Sequence, residues 1–66
     1  MIQIWLNSNL LSIDRINLAQ LIKTQGFDSD RVAAEVDMQI IPRSIWGEFE
    51  LKDGMKIEIV EFVGGG

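Results

Sequence analysis

The stretch IQIWLNSNLLSIDRINLAQLIKTQG, residues 2–26, contains the local signals from which the architecture of this chain is predicted. Apolar and polar residues alternate over residues 1–6, a pattern typical of a strand with one buried face. Turn-forming residues occupy positions 7–9, and a second strand pattern follows over residues 10–13. We therefore expect the chain to open with a β-hairpin.

A helix with a defined start and stop follows the hairpin. Asn17 suits the N-cap because its side-chain oxygen accepts a backbone N–H, and Gln20 is placed to complete a capping box. Gly26 ends the pattern, because glycine adopts the left-handed C′ conformation without a steric penalty. These signals predict a helix over residues 18–25.

Short strands and turns make up the rest of the chain. We expect strands at residues 31–36, 39–41 and 57–62, a further short strand around Phe49 and Leu51, and a single 3₁₀ turn at residues 43–46. Pro42 ends the second of these strands because it has no N–H to donate.

The order of these elements predicts an α+β, ubiquitin-like β-grasp fold, with a mixed sheet of four to five strands packed on one helix. After a hairpin and a right-handed helical crossover, the first and last strands pair in parallel at the sheet centre. A single domain is expected over residues 1–63, followed by a flexible glycine tail over residues 64–66.

The charge balance argues against nucleic acid and membrane surfaces as partners. Ten acidic and six basic side chains give a formal net charge of −4, which repels phosphate backbones and anionic lipid. A basic groove on another protein is a better match. The sequence has no apolar run of the ~20 residues needed to cross a bilayer and no signal-peptide pattern, so we expect a cytoplasmic location.

The chain contains neither cysteine nor histidine. It therefore lacks a thiolate nucleophile and the commonest general base and metal ligand. Two acidic pairs, Glu35 with Asp37 and Glu48 with Glu50, are interpreted as solvated side chains. We expect no catalytic site, no metal site and no bound cofactor.

Three glycines directly follow the last predicted strand and end the chain, at Gly64, Gly65 and Gly66. A glycine run is most often a flexible end or the remnant of a linker. A free carboxylate on residues without side chains also has a specific use. It can thread a narrow channel into the active site of another protein and attack the α-phosphate of a nucleoside triphosphate.

Several segments together resemble a known family. They are Val32–Val36, Ile40-Ile41-Pro42-Arg43-Ser44, Trp46, Leu51-Lys52-Asp53-Gly54, Ile57-Glu58-Ile59-Val60 and Phe62-Val63-Gly64-Gly65-Gly66. In these segments the chain resembles the bacterial ThiS family, the small sulfur carriers of thiamine biosynthesis. The combination of PRSxW, IEIV and a terminal FVGGG is more specific than a Gly-Gly end alone. Departures at residues 37–39 and at Met55 concern loop geometry only.

The resemblance implies that the chain is a protein co-substrate and not an enzyme. A ThiF-type adenylating enzyme would activate Gly66 with ATP and magnesium, and a sulfur donor would convert the acyl-adenylate to a thiocarboxylate. That species would deliver sulfur to thiazole synthase. Gly65 and Gly66 would form the reactive terminus, and Gly64 would extend its reach.

Two residues at the base of the tail, Phe62 and Val63, have two interpretations. They either complete the core of the last strand or form a docking patch for a partner. Alternation also places Trp5 and Leu10 outward, and for Trp5 we expect packing at the edge of the core. Trp46 is expected to close the edge of the sheet.

Other functions fit the same pattern. A molybdopterin-type sulfur carrier shares the fold and tail, although the PRSxW segment favours the thiamine branch. A ubiquitin-like modifier would use the same terminus to form an isopeptide bond with lysine. A non-catalytic β-grasp interaction module would make no use of the tail.

Overall fold

In a computed structural model, which describes residues 1–62, a five-stranded sheet packs on one α-helix. The elements are β1 (Ile2–Leu6), β2 (Asn9–Ile13), α1 (Leu18–Thr24), β3 (Val32–Val36), β4 (Gln39–Ile40), a 3₁₀ helix (Arg43–Glu48) and β5 (Lys56–Glu61). Across the sheet the strands follow the order β2-β1-β5-β3-β4. β1 and β5 are parallel, and all other neighbours are antiparallel. The predicted β-grasp fold, with its first and last strands paired at the centre, is confirmed.

The core lies between α1 and one face of the sheet. Alternation along the strands buries every second side chain, as in β1, where Ile4 is fully buried, and in β5, where Ile57 is. α1 contributes Leu18, Leu21 and Ile22, which recur at helical spacing. Among residues 1–62 the buried side chains are all hydrophobic, so apolar packing supplies the stability of this small domain.

α1 begins with the predicted capping box. Asn17 Oδ1 accepts from the Gln20 backbone N–H at 2.8 Å, and Gln20 Oε1 accepts from the Asn17 N–H at 3.0 Å. The helix ends at Thr24, one residue before the predicted end, with Gln25 as its C-cap. Gly26 follows with φ +85°, the left-handed conformation expected at this position.

The predicted short strand around Phe49 and Leu51 is wrong. The segment forms an isolated bridge, with Glu50 opposite Asn17. Its two backbone bonds run from Leu18 N to Phe49 O (2.9 Å) and from Leu51 N to Ile16 O (3.1 Å). The ladder cannot continue because the segment paired with it, which contains Asn17, begins α1 at this point.

The 3₁₀ helix, Arg43–Glu48, is longer than the predicted single turn. It contains Trp46, whose side chain is only 4% exposed. Trp46 Nε1 donates to the Ile41 carbonyl at 2.9 Å, just beyond the short edge strand β4. As expected, Trp46 closes this edge of the sheet, and its polar atom is satisfied there.

Both hairpins use the same two-residue turn. Asn7 and Ser8 connect β1 to β2 with φ of 48° and 70°, and Asp37 and Met38 connect β3 to β4 with φ of 48° and 72°. Positive φ at both central residues defines the type I′ turn, whose twist matches that of the flanking strands. Asparagine and aspartate tolerate this conformation better than most residues.

Candidate functional site

The predicted reactive terminus follows the central strand β5 in the sequence. Gly64, Gly65 and Gly66, together with Val63, lie outside the described residues, which end at Phe62. β5 is bordered by β1 on one side and by β3 on the other. The base of the tail is therefore anchored in the middle of the sheet.

Phe62 does not belong to the core. Its side chain is 60% exposed, although its backbone N–H still donates to Arg31 O at 2.7 Å. Because Ile57 and Ile59 point into the core, alternation places Val60 and Phe62 on the opposite face of the sheet. Of the two interpretations of Phe62, core packing is excluded, and docking stays a prediction.

The face of the sheet opposite α1, here called the outer face, carries exposed apolar side chains. They are Trp5, Leu10, Ile40, Val60 and Phe62. Trp5 is 42% exposed and lies opposite Leu10 and Lys56, so the expected packing of Trp5 at the edge of the core is wrong. Val60 was not predicted as an exposed residue, although the two-residue period of β5 that places Phe62 outward also places Val60 outward.

A shallow depression of about 320 Å³ lies on the outer face beside Trp5. Its other borders are Ser8 in the first turn and Lys56, Ile57 and Glu58 in β5. The depression therefore combines an aromatic wall with side chains of both charges. It adjoins the central strand that leads to the tail.

The outer face also carries negative charge. Glu35 on β3 lies directly opposite Glu58 on β5. Within residues 1–62 the only salt bridge, between Arg31 and Asp28 at 3.7 Å, lies elsewhere on the surface. An apolar surface with unneutralised carboxylates matches a partner that presents basic and apolar groups together.

The described part of the chain has neither a cluster of metal ligands nor a membrane-spanning helix. Among residues 1–62, no group of three or more acidic side chains is arranged to bind a metal ion. In the same range, no helix is long and apolar enough to cross a membrane. Glu48 and Glu50 are exposed, as interpreted from the sequence.

A mixed five-stranded sheet packed on one helix, with first and last strands parallel at its centre, defines the class of ubiquitin-like β-grasp proteins. The family model described as the ThiS family matches residues 4–66. The chain therefore belongs to the ThiS family, the small sulfur carriers of thiamine biosynthesis.

Two proteins of similar sequence and one solved structure of similar fold are compared with this chain. A thiazole synthase of Paramagnetospirillum magneticum is 44% identical over 46 residues, which is 70% of this chain but only 14% of that protein. The ycf40 protein of Porphyra purpurea is 31% identical over 51 residues, covering 77% of this chain and 72% of the relative. The crystal structure of the thiamine biosynthesis protein ThiS from Geobacter metallireducens superposes with a TM-score of 0.83 at 22% identity, over 98% of this chain and 100% of that one. This structural likeness concerns the fold.

Proposed function

We propose that this chain carries sulfur as a thiocarboxylate on Gly66 and donates it during formation of the thiazole of thiamine. The observation that supports this proposal most directly is the family match over residues 4–66, which includes the glycine end as well as the domain. In the sequence, that end follows the central strand of the sheet, with Phe62 and Val63 between them.

Activation begins with adenylation in a ThiF-type enzyme. A carboxylate oxygen of Gly66 attacks the α-phosphorus of ATP, the bond between the α- and β-phosphates breaks, and pyrophosphate leaves with its magnesium ion. Gly65 and Gly66 carry no Cβ, so the terminus fits a channel narrower than other residues allow. Gly64 extends the reach of the terminus from β5.

Sulfur transfer then replaces the adenylate. Hydrosulfide supplied by the sulfur donor attacks the acyl carbon, the bond from that carbon to the phosphate oxygen breaks, and AMP leaves, which gives the thiocarboxylate. The thiocarboxylate sulfur is a better nucleophile than the carboxylate oxygen, so it can attack the precursor of the thiazole. Since the chain has neither cysteine nor histidine, we assign every catalytic group in these steps to its partners, and the chain acts as a co-substrate.

Thiazole synthase is the proposed acceptor of the sulfur. A protein of that name contains a segment similar to most of this chain, which supports an association between the two proteins. We place the docking contact for partner proteins, including the adenylating enzyme, at Phe62 and Val63, and the exposed side chain of Phe62 lies on the same face of the sheet as Val60. Because the first step consumes ATP, we propose that the reaction takes place in the cytoplasm.

The proposal is tested by intact-mass spectrometry after incubation with a ThiF-type enzyme, ATP, magnesium and a sulfur donor. Exchange of one oxygen for sulfur raises the mass by about 16 Da. The matched control is the chain without Gly65 and Gly66, which keeps residues 1–62 and is expected to gain nothing. If an enzyme that modifies its own carrier leaves this chain at its original mass, the proposal is wrong.

A further inference from the structure

β5 extends past the ends of both neighbouring strands. β1 turns away after Leu6 and β3 turns away after Val36, each through a type I′ turn. Because β1 is parallel to β5 and β3 is antiparallel, the two turns lie at different ends of β5. The β1–β2 turn lies toward the end that leads to the tail, and the β3–β4 turn lies at the start.

The first residue of each turn hydrogen-bonds to β5. Asn7 N donates to Ile57 O at 2.9 Å, Asn7 Oδ1 accepts from Ile59 N at 2.8 Å, and Asn7 Nδ2 donates to Ile59 O at 3.3 Å. At the other end, Asp37 N donates to Lys56 O at 2.8 Å, and Asp37 Oδ1 accepts from Lys56 N at 3.0 Å. The carboxamide of Asn7 thus hydrogen-bonds to both the N–H and the carbonyl of Ile59, as the backbone of a residue in a neighbouring strand would.

Asparagine meets two requirements at position 7. Its backbone has φ 48°, a conformation that asparagine, aspartate and glycine adopt most readily. Its side chain offers a carbonyl acceptor and N–H donors, so it can make both hydrogen bonds that a peptide unit makes. Aspartate would keep the acceptor for the Ile59 N–H, but its carboxylate cannot donate to the Ile59 carbonyl.

We propose that Asn7 is a positioning residue, whose carboxamide replaces a missing residue of β1 beside Ile59 and fixes the direction in which β5 leads to the C-terminus. The inference rests on the proposed function, because direction matters only if Gly66 must enter a partner's active site. Without the Asn7 side chain, the end of β5 would adopt a wider range of orientations. Fewer docked complexes would then place Gly66 correctly, so kcat falls while KM, set by docking, stays nearly constant.

The test compares Asn7→Gly with Asp37→Gly. Both variants remove a turn side chain that bonds to β5, and glycine is unstrained at the positive φ of both positions. Asp37 lies at the end of β5 remote from the tail, so Asp37→Gly is the matched control. Asn7→Asp, which keeps the acceptor and loses the donor, provides a second variant that preserves the turn.

Amide hydrogen exchange followed by NMR measures how well the hydrogen bond from Asn7 protects the Ile59 amide. We expect the Ile59 amide to exchange about five-fold faster in Asn7→Gly and to be unchanged in Asp37→Gly, where the Lys56 amide is affected instead. Asn7→Asp should lie between the wild type and Asn7→Gly. Unchanged exchange at Ile59 in Asn7→Gly overturns the proposal.

Steady-state kinetics of thiocarboxylate formation separates positioning from stability. Asn7→Gly is expected to lower kcat by about five-fold with KM within about two-fold, while Asp37→Gly retains the wild-type values. Equal kcat for the two variants, or a change confined to KM, contradicts a positioning role. A wild-type chain that gains no sulfur contradicts the proposed function instead, and the exchange rate at Ile59 then still decides whether Asn7 holds β5.

Discussion

Glu35 and Glu58 lie directly opposite each other on the outer face of β3 and β5. Like charges in this arrangement destabilise a sheet, and neither carboxylate forms a salt bridge within residues 1–62. The pair therefore weakens the free domain. It also places negative charge on the face that carries Phe62, where a basic partner surface would relieve the repulsion.

Removing one of these charges is expected to stabilise the domain. Glu35→Gln should raise the free energy of unfolding by about 0.2–1 kcal/mol at low salt, and by less at high salt, where the repulsion is screened. Urea denaturation at two ionic strengths measures the change. Glu48→Gln, which removes an exposed charge from the 3₁₀ helix, is the control. Equal effects from the two variants would rule out cross-strand repulsion.

At the scale of elements, the sequence predicted those structures whose signals are local. The alternation in β1 and the capping box around Asn17 both depend on residues a few positions apart, and both were found as expected. The isolated bridge at Glu50 depends instead on the tertiary structure, because the residue opposite it, Asn17, is the start of α1. The bonds from Asn7 to Ile59 join residues 52 positions apart, so they require the register of the sheet, which no local pattern contains.

The capping box provides a test at this scale. Asn17→Ala removes the acceptor of the Gln20 N–H and is expected to lower the free energy of unfolding by about 0.5–2 kcal/mol. Thermal and urea unfolding measure the loss. Asn9→Ala serves as the control, since the Asn9 side chain makes only a 3.5 Å contact with Asn7 O. A loss no larger than that of the control would mean that the cap contributes nothing to the domain.

At the scale of the whole molecule, the folded domain precedes, in the sequence, the reactive terminus that we propose. The domain contributes a core, an outer face and a central strand that leads to the C-terminus. Sequence alternation placed both Trp5 and Phe62 on the outward side of their strands, but whether each side chain would still pack against the core depends on the arrangement of the strands, and for Trp5 the expected packing at the edge of the core was wrong. The identity of the carrier came from the combined motifs and was confirmed by the family match.

If partners dock at Phe62, substitution of Phe62 should change the KM for the adenylating enzyme more than substitution of Ile40, another exposed residue. Phe62→Ser should raise the KM for the adenylating enzyme by about ten-fold, because an exposed aromatic ring is lost from the proposed contact. Ile40→Ser changes a 75% exposed residue on β4, at the edge of the sheet, and should leave KM within about two-fold. Both variants should unfold at the wild-type urea concentration, since neither residue is buried. Equal KM values for the two variants would exclude Phe62 from the contact.

The position of the acquired sulfur tests the central claim most directly. Fragmentation mass spectrometry of the chain, after reaction with adenylating enzyme, ATP and sulfur donor, should locate a gain of about 16 Da on the fragment that ends at Gly66. All fragments without Gly66 should keep their original masses. Sulfur on any other residue, or conjugation of Gly66 to a lysine in place of sulfur, would contradict the account.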